Sequence, residues 1–166
     1  KAELAELALP FSFEAPVYSN QELLTTGFGS KNNPNDKMLA NRDQDCRVFS
    51  DNFRFLKEVD EEDDYQAWSM AVGCDISGGD SGSPVLDRDT GELIGVIWST
   101  KFKKRKDILR PDFLEKILHD SSPVIWQHMT YAIPAKKIRD VLKKELKSSS
   151  DLSKKKKNII QSIIRL

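Results

Sequence analysis

The residues best suited to chemistry stand in one run, Gly73-Cys74-Asp75-Ile76-Ser77-Gly78-Gly79-Asp80-Ser81-Gly82-Ser83-Pro84-Val85. Glycines flank a serine that sits between an aspartate and a Pro-Val strand start, so the backbone can turn sharply and leave the Ser81 hydroxyl exposed. Gly79 carries no Cβ, which lets the N–H groups of residues 79 and 81 converge on one point. Two convergent donors are what a developing oxyanion needs, and loss of one typically costs on the order of a hundredfold in rate. The alternative is a glycine-rich turn with incidental serines, common in any β protein; composition alone does not choose between them. Acyl transfer from a serine also needs a histidine to take the hydroxyl proton and a carboxylate to orient that histidine. The chain has two histidines, His119 and His128, and both follow Ser81. Each reads as a structural or surface residue, the first in a charged loop and the second directly before a strand.

Short strands must position this run. From about Pro16 to Trp98 the pattern is of strands separated by turns, without a convincing helix. Segments 17–18, 22–29, 45–50 and 67–74 read as strands, and residues 30–36 are dense in turn formers and read as a surface loop. Residues 83–87 and 92–98, joined by Arg88-Asp89-Thr90-Gly91, read as a hairpin closed by a glycine-containing turn. Many short strands with frequent turns point to a β-barrel or sandwich. Beyond Trp98 the character changes. Residues 101–127 are first heavily charged and then carry a helical piece over 112–118, and 129–133 return to a strand pattern. Pro134 stands at the entrance of a helix over 135–147, with Ile138, Val141, Leu142 and Leu146 along one face. A polar linker, 148–150, follows, and Ile159, Ile160, Ile163 and Ile164 then recur at helical spacing.

The 166 residues fit one compact domain, or a domain plus a tail, and suffice to bury a core. Twenty-six basic against 26 acidic residues argue against a dedicated nucleic-acid binder. No apolar run approaches the roughly eighteen residues of a membrane span. The start, Lys1-Ala2-Glu3-Leu4, lacks a signal-peptide layout, so any export signal is expected outside this chain. Two cysteines exclude a disulfide-dense miniature fold, and two histidines argue against a multi-histidine metal site. The balanced charge conceals blocks. Glu58 and residues 60–64 form an acidic run, while residues 101–106 and 154–157 are basic; solvated faces are the simple reading.

Gly79-Asp80-Ser81-Gly82-Ser83-Pro84 resembles the nucleophile motif of chymotrypsin/trypsin-like serine peptidases, in the Ser-Gly-Ser-Pro form frequent in bacterial members and glutamyl endopeptidases. Thr26-Gly27-Phe28-Gly29 is similar to the Gly-aromatic-Gly near the start of that family's second barrel. Gly95-Val96-Ile97-Trp98-Ser99 resembles the strand that lines its primary specificity pocket. Met129-Thr130-Tyr131-Ala132-Ile133 with the following helix resembles its last strand and C-terminal helix. The matches run in order over about residues 17 to 147, the insertion 101–127 excepted. The resemblance implies a mainly β fold: a six-stranded antiparallel Greek-key barrel, one of the two barrels of a trypsin-like fold, with a C-terminal helix and a helical tail. Residues 1–16 would be the inter-barrel connection, 17–147 the second barrel and 148–166 the linker and amphipathic tail.

Carried over residue by residue, Ser81 matches the nucleophile, and the N–H groups of Gly79 and Ser81 match the oxyanion hole. Asp75, Ile76, Trp98, Ser99 and Thr100 match the specificity pocket. Asp75 lies where trypsin-like enzymes place the carboxylate that binds Arg or Lys, an arrangement that favours cationic side chains by charge-assisted hydrogen bonding. Glutamyl endopeptidases carry Asp there too, but place a His where this chain has Ile97, so glutamate specificity is disfavoured. Thr100 replaces a usual glycine and narrows the pocket. Asp80 matches the residue that pairs with a new N-terminal amine in activated enzymes, although Lys1-Ala2 does not resemble that terminus.

In the family the catalytic His and Asp precede the serine and lie on the preceding barrel. This chain is therefore expected to be the C-terminal half of a serine endopeptidase, active only with an N-terminal half supplying both residues, and acting on protein or peptide substrates. No cofactor, metal or nucleic acid is implied. The alternative is a pseudo-protease or binding module that uses the barrel cleft or tail for protein partners. By resemblance to some bacterial members, Cys46 and Cys74 would form a disulfide, fitting a periplasmic or secreted setting; the other reading is two buried free thiols in a cytosolic enzyme. Ser77 stands where the family usually has the cysteine closest to the nucleophile. By family position, insertion 101–127 would border the cleft and either regulate access or read substrate charge. The isoleucine stripe behind Lys154-Lys155-Lys156-Lys157 reads as packing or a partner contact in preference to a membrane contact.

Overall fold

A computed structural model describes residues 12–27, 39–41, 45–59, 64–76, 79–100, 111–112, 129–148 and 152–164. Among the described residues the named elements are two helices, α1 (Ala135–Ser148) and α2 (Lys154–Ile164), and, before them in the chain, seven strands: β1 (Leu23–Gly27), β2 (Leu39–Asn41), β3 (Val48–Val59), β4 (Asp64–Val72), β5 (Pro84–Asp87), β6 (Leu93–Thr100) and β7 (Thr130–Pro134). All lie in one antiparallel sheet of order β2-β1-β5-β6-β7-β4-β3. Six of these strands fall on segments read as strands, whereas segment 17–18, also read as one, is not a strand. The seventh, β2, has three residues and adds to the outer edge of β1.

The order is that of a Greek key. β5, β6 and β7 lie side by side in sequence order, and β4 lies beside β7 at the far end of that trio. The ladder of named strands is open, from β2 to β3. The lead-ins of β1 and β3 nevertheless meet across that gap, where Glu22 and Arg47 form an isolated bridge. Asn20 N donates to Val48 O, Val48 N to Gln21 O and Leu23 N to Cys46 O, at 2.8–2.9 Å. The start of β1 thus meets the lead-in to β3, and the sheet wraps around a core built from Leu23, Val48, Met70, Val72, Val85 and Ile97.

Local sequence explains the elements that hold the site. β6 is rich in β-branched and aromatic residues and buries Ile97 and Ser99 while Val96, Trp98 and Thr100 alternate outward to partial exposure. The β5–β6 connection turns because Gly91 takes φ 73°, a region that costs a glycine nothing. Asp87 shapes the same turn: its Oδ1 accepts from the N–H groups of Asp89 (2.9 Å) and Thr90 (2.7 Å), and Gln21 Nε2 donates to its Oδ2 at 2.5 Å.

Two departures from the sequence reading stand out. β3 continues to Val59 and β4 begins at Asp64, so Glu58 and Asp64 of the acidic run belong to long paired strands, where short ones were expected; residues 60–63 lie outside the described residues. The expected alternation is broken there by irregular pairing between Val48 and Arg54, and the outer half of the hairpin leaves Phe55 and Trp68 paired edge to face but exposed. The tail helix starts earlier than its isoleucines suggest, at Lys154, and packs against α1. Arg139 of α1 pairs with Glu14, fixing the N-terminal approach in which Phe13 is buried. The expected loop 30–36, most of the expected insertion 101–127, His119, His128 and the start of the expected inter-barrel connection lie outside the described residues.

Candidate functional site

The connection from β4 to β5 carries Ser81. Ser83 N donates to Asp80 O at 2.9 Å, closing a four-residue turn with Ser81 and Gly82 at its corner. Gly82 has φ 91° while Ser81 does not adopt a positive φ, the combination of a type II turn, which calls for glycine at the third position. Gly79 just upstream has φ 105°. The turn is docked on β6: Gly82 N donates to Ile97 O (2.8 Å) and Ile97 N to Ser83 O (2.9 Å). Ser81 and Gly79 are exposed at its outer side. Among the described residues, the N–H groups of Gly79 and Ser81 and the Ser81 hydroxyl are not engaged in hydrogen bonds.

Beneath the turn, Asp80 is buried, 8% exposed. Gly27, at the end of β1, lies so close that a Cβ there would overlap the Asp80 carboxylate and the Ser83 hydroxyl. Two segments singled out separately in the sequence are therefore brought into contact. Phe28, Gly29, Ser77 and Gly78 lie outside the described residues.

The five expected pocket residues fall on two stretches, one after β4 and one at the end of β6. Asp75 is half-buried, and Ile76 is buried in the core cluster. Trp98 is half-buried and donates from Nε1 to Ser69 Oγ at 3.0 Å, which itself donates to Ala67 O. Ser99 is buried with Oγ unpartnered among the described residues, and Thr100 is half-buried. Thr130 joins the two stretches. Its Oγ1 donates to Cys74 O at 2.8 Å and lies 3.4 Å from Thr100 Oγ1, opposite which it pairs in the β6–β7 ladder. The residue beside Asp75 and the last residue of β6 are thus held by one buried threonine, which sequence reading did not select. Its only sequence signal is a polar residue opening an otherwise apolar strand.

Cys46 and Cys74 form a disulfide, both sulfurs buried. It joins the lead-in of β3 to the end of β4, beside the closure of the sheet and directly before Asp75. Arg88 secures the same place: Nε and Nη2 donate to Leu23 O (3.1 and 3.0 Å), Nη2 reaches Cys46 O at 3.5 Å and Nη1 pairs with Glu22 at 3.0 Å. Gln21, Asp87 and Arg88 were not singled out as site residues by sequence, because the Gln21–Asp87 and Arg88–Leu23 bonds join residues remote along the chain. A buried disulfide is consistent with an oxidising compartment. No helix among the described residues is long and apolar enough to cross a membrane.

Chemically, the site offers an exposed serine on a turn, two N–H donors unengaged among the described residues and a half-buried carboxylate on the adjoining stretch. No protein-family model and no curated protein matches the chain.

Proposed function

We propose that this chain is the C-terminal barrel of a trypsin-like serine endopeptidase, with Ser81 as nucleophile. The observation that carries the reading is the Asp80–Ser83 turn: it needs Gly82, rests on β6 and, among the described residues, leaves Ser81 and the N–H groups of Gly79 and Ser81 unengaged. The antiparallel Greek-key strand set, followed by a helix after its last strand, supports it as well.

In this reading Ser81 Oγ attacks the substrate carbonyl carbon while a histidine on the N-terminal half takes its proton. The carbonyl oxygen becomes an oxyanion held by the N–H groups of Gly79 and Ser81. The C–N bond breaks as the histidine returns the proton to the leaving amine, and water then hydrolyses the Ser81 ester. Without that histidine, Ser81 remains a weak nucleophile at neutral pH. Asp75 gives a preference for Arg or Lys beside the cleaved bond. The disulfide favours a periplasmic or secreted setting.

The test is co-expression with an N-terminal half supplying His and Asp, followed by treatment with a fluorophosphonate. Labelling is expected in the pair, absent from the isolated chain, and lost in Ser81→Ala; labelling that persists in Ser81→Ala would overturn the reading. In a peptide library, Asp75→Ala should abolish the cationic preference. A second reading, a barrel retained as a binding module, is favoured by the exposed Phe55–Trp68 pair (centroids 5.7 Å apart) with Lys137 Nζ 3.9 Å from the Trp68 ring centre.

A further inference from the structure

Charge balance over the whole chain hides a strong local imbalance. Residues 135–164, which hold both helices, carry ten lysines and arginines against three carboxylates. On α1, Lys143, Lys144 and Lys147 line an open depression of about 410 Å³ with Asp140 and Ser148. On α2, four lysines occupy the first turn with no acidic residue among them.

The apolar side chains of the same two helices are incompletely covered. Ala135 is the buried residue of α1, and α2 has none. Val141 is 61% exposed and Ile159 49%, while Ile160, Ile163 and Ile164 are half-buried. Residues three and four apart share a helix face, which sets Lys155 and Lys156 one turn before Ile159 on its own side. Lysines therefore border uncovered isoleucine on one helix.

We propose that the α1–α2 pair is a docking surface for an anionic lipid bilayer. Headgroup phosphates pair with Lys143, Lys144, Lys147 and the α2 lysines, and Ile159 enters the boundary between headgroups and acyl chains. The two features make different demands, an anion for the lysines and an apolar layer for the isoleucine. Nucleic acid supplies only the first. An anionic bilayer supplies both, and an amphipathic basic helix binds it by the sum of the two. The helices lie on the membrane plane, and the proposal stands independently of Ser81.

The experiment is co-sedimentation of the full chain with phosphatidylglycerol-containing vesicles and with pure phosphatidylcholine vesicles. Binding is expected to the first, to weaken as salt rises, and to be slight for the second. Replacing Lys154, Lys155, Lys156 and Lys157 by Gln together should weaken binding roughly a hundredfold or more, since each basic residue near such a surface contributes about a fivefold factor. Ile159→Ser should weaken it several-fold, with circular dichroism confirming that both variants stay folded. Failure of the wild-type chain to bind anionic vesicles would overturn the proposal, as would equal binding to neutral ones. So would undiminished binding by the glutamine variant. Unchanged vesicle binding by Ile159→Ser, together with displacement by duplex DNA, would reassign the surface to nucleic acid.

Discussion

A methyl group at position 27 would meet the Asp80 carboxylate and the Ser83 hydroxyl, and Asp80 is buried and has little room to yield. Gly27→Ala is expected to displace the Ser81 turn and to lower fluorophosphonate labelling of the reconstituted protein by about ten- to a hundredfold. Far-UV circular dichroism should change little. Asp87 gives a second prediction. Burial pushes its carboxyl up, but hydrogen bonds from Gln21, from the Thr90 backbone and hydroxyl and from the Asp89 N–H outweigh this and hold it below the ordinary 3.8. A carboxyl lowered in the folded state contributes stability that is complete above the unfolded value and is lost as pH falls through the folded one. Asp87→Asn should therefore cost about 2 kcal/mol at pH near 7 in urea unfolding, with the gap to wild type narrowing in acid below about pH 4. Ser81 and Gly82 were legible in the sequence because a glycine required by a tight turn is a local property. Gly27 against Asp80, Gln21 against Asp87 and Thr130 against Cys74 were not, because each contact joins residues far apart in the chain.

Among the elements, the β5–β6 hairpin and the helix after β7 were readable from turn chemistry and periodicity: Gly91 marks the turn, and Pro134 the helix entrance. The β3–β4 hairpin was read too short. Its outer half exposes Phe55 and Trp68, so burial imposes no alternation on it, and its charged residues resemble those of a loop. At its base the hairpin is held by the Cys46–Cys74 bond, which closes a separation of 28 residues. Removing the bond, with Cys46→Ala and Cys74→Ala together, is expected to cost about 3–4 kcal/mol through the freer unfolded chain. Guanidinium unfolding of the double variant measures this, and reductant should then have no further effect.

At the scale of the molecule, a barrel or a sandwich was legible from the frequency of strands and turns, whereas the seam where the sheet wraps was not. Closure rests on Glu22, Arg47 and Arg88, whose roles depend on where three separate segments meet. The helical tail lies outside that closure. With no buried residue in α2, ending the chain after Ser148 should lower stability by about 1 kcal/mol or less, as thermal unfolding would register, leaving the barrel intact. The tail and the barrel are thus separable in stability, and the disulfide belongs wholly to the barrel. Its two ends stand at different tasks: Cys46 at the seam of the wrap, Cys74 on the stretch that leads through Asp75 to Ser81. In a reducing compartment the same chain would hold those places by noncovalent contacts alone. Once the two thiols are oxidised, a single covalent bond ties the seam of the wrap to the stretch that opens at Asp75.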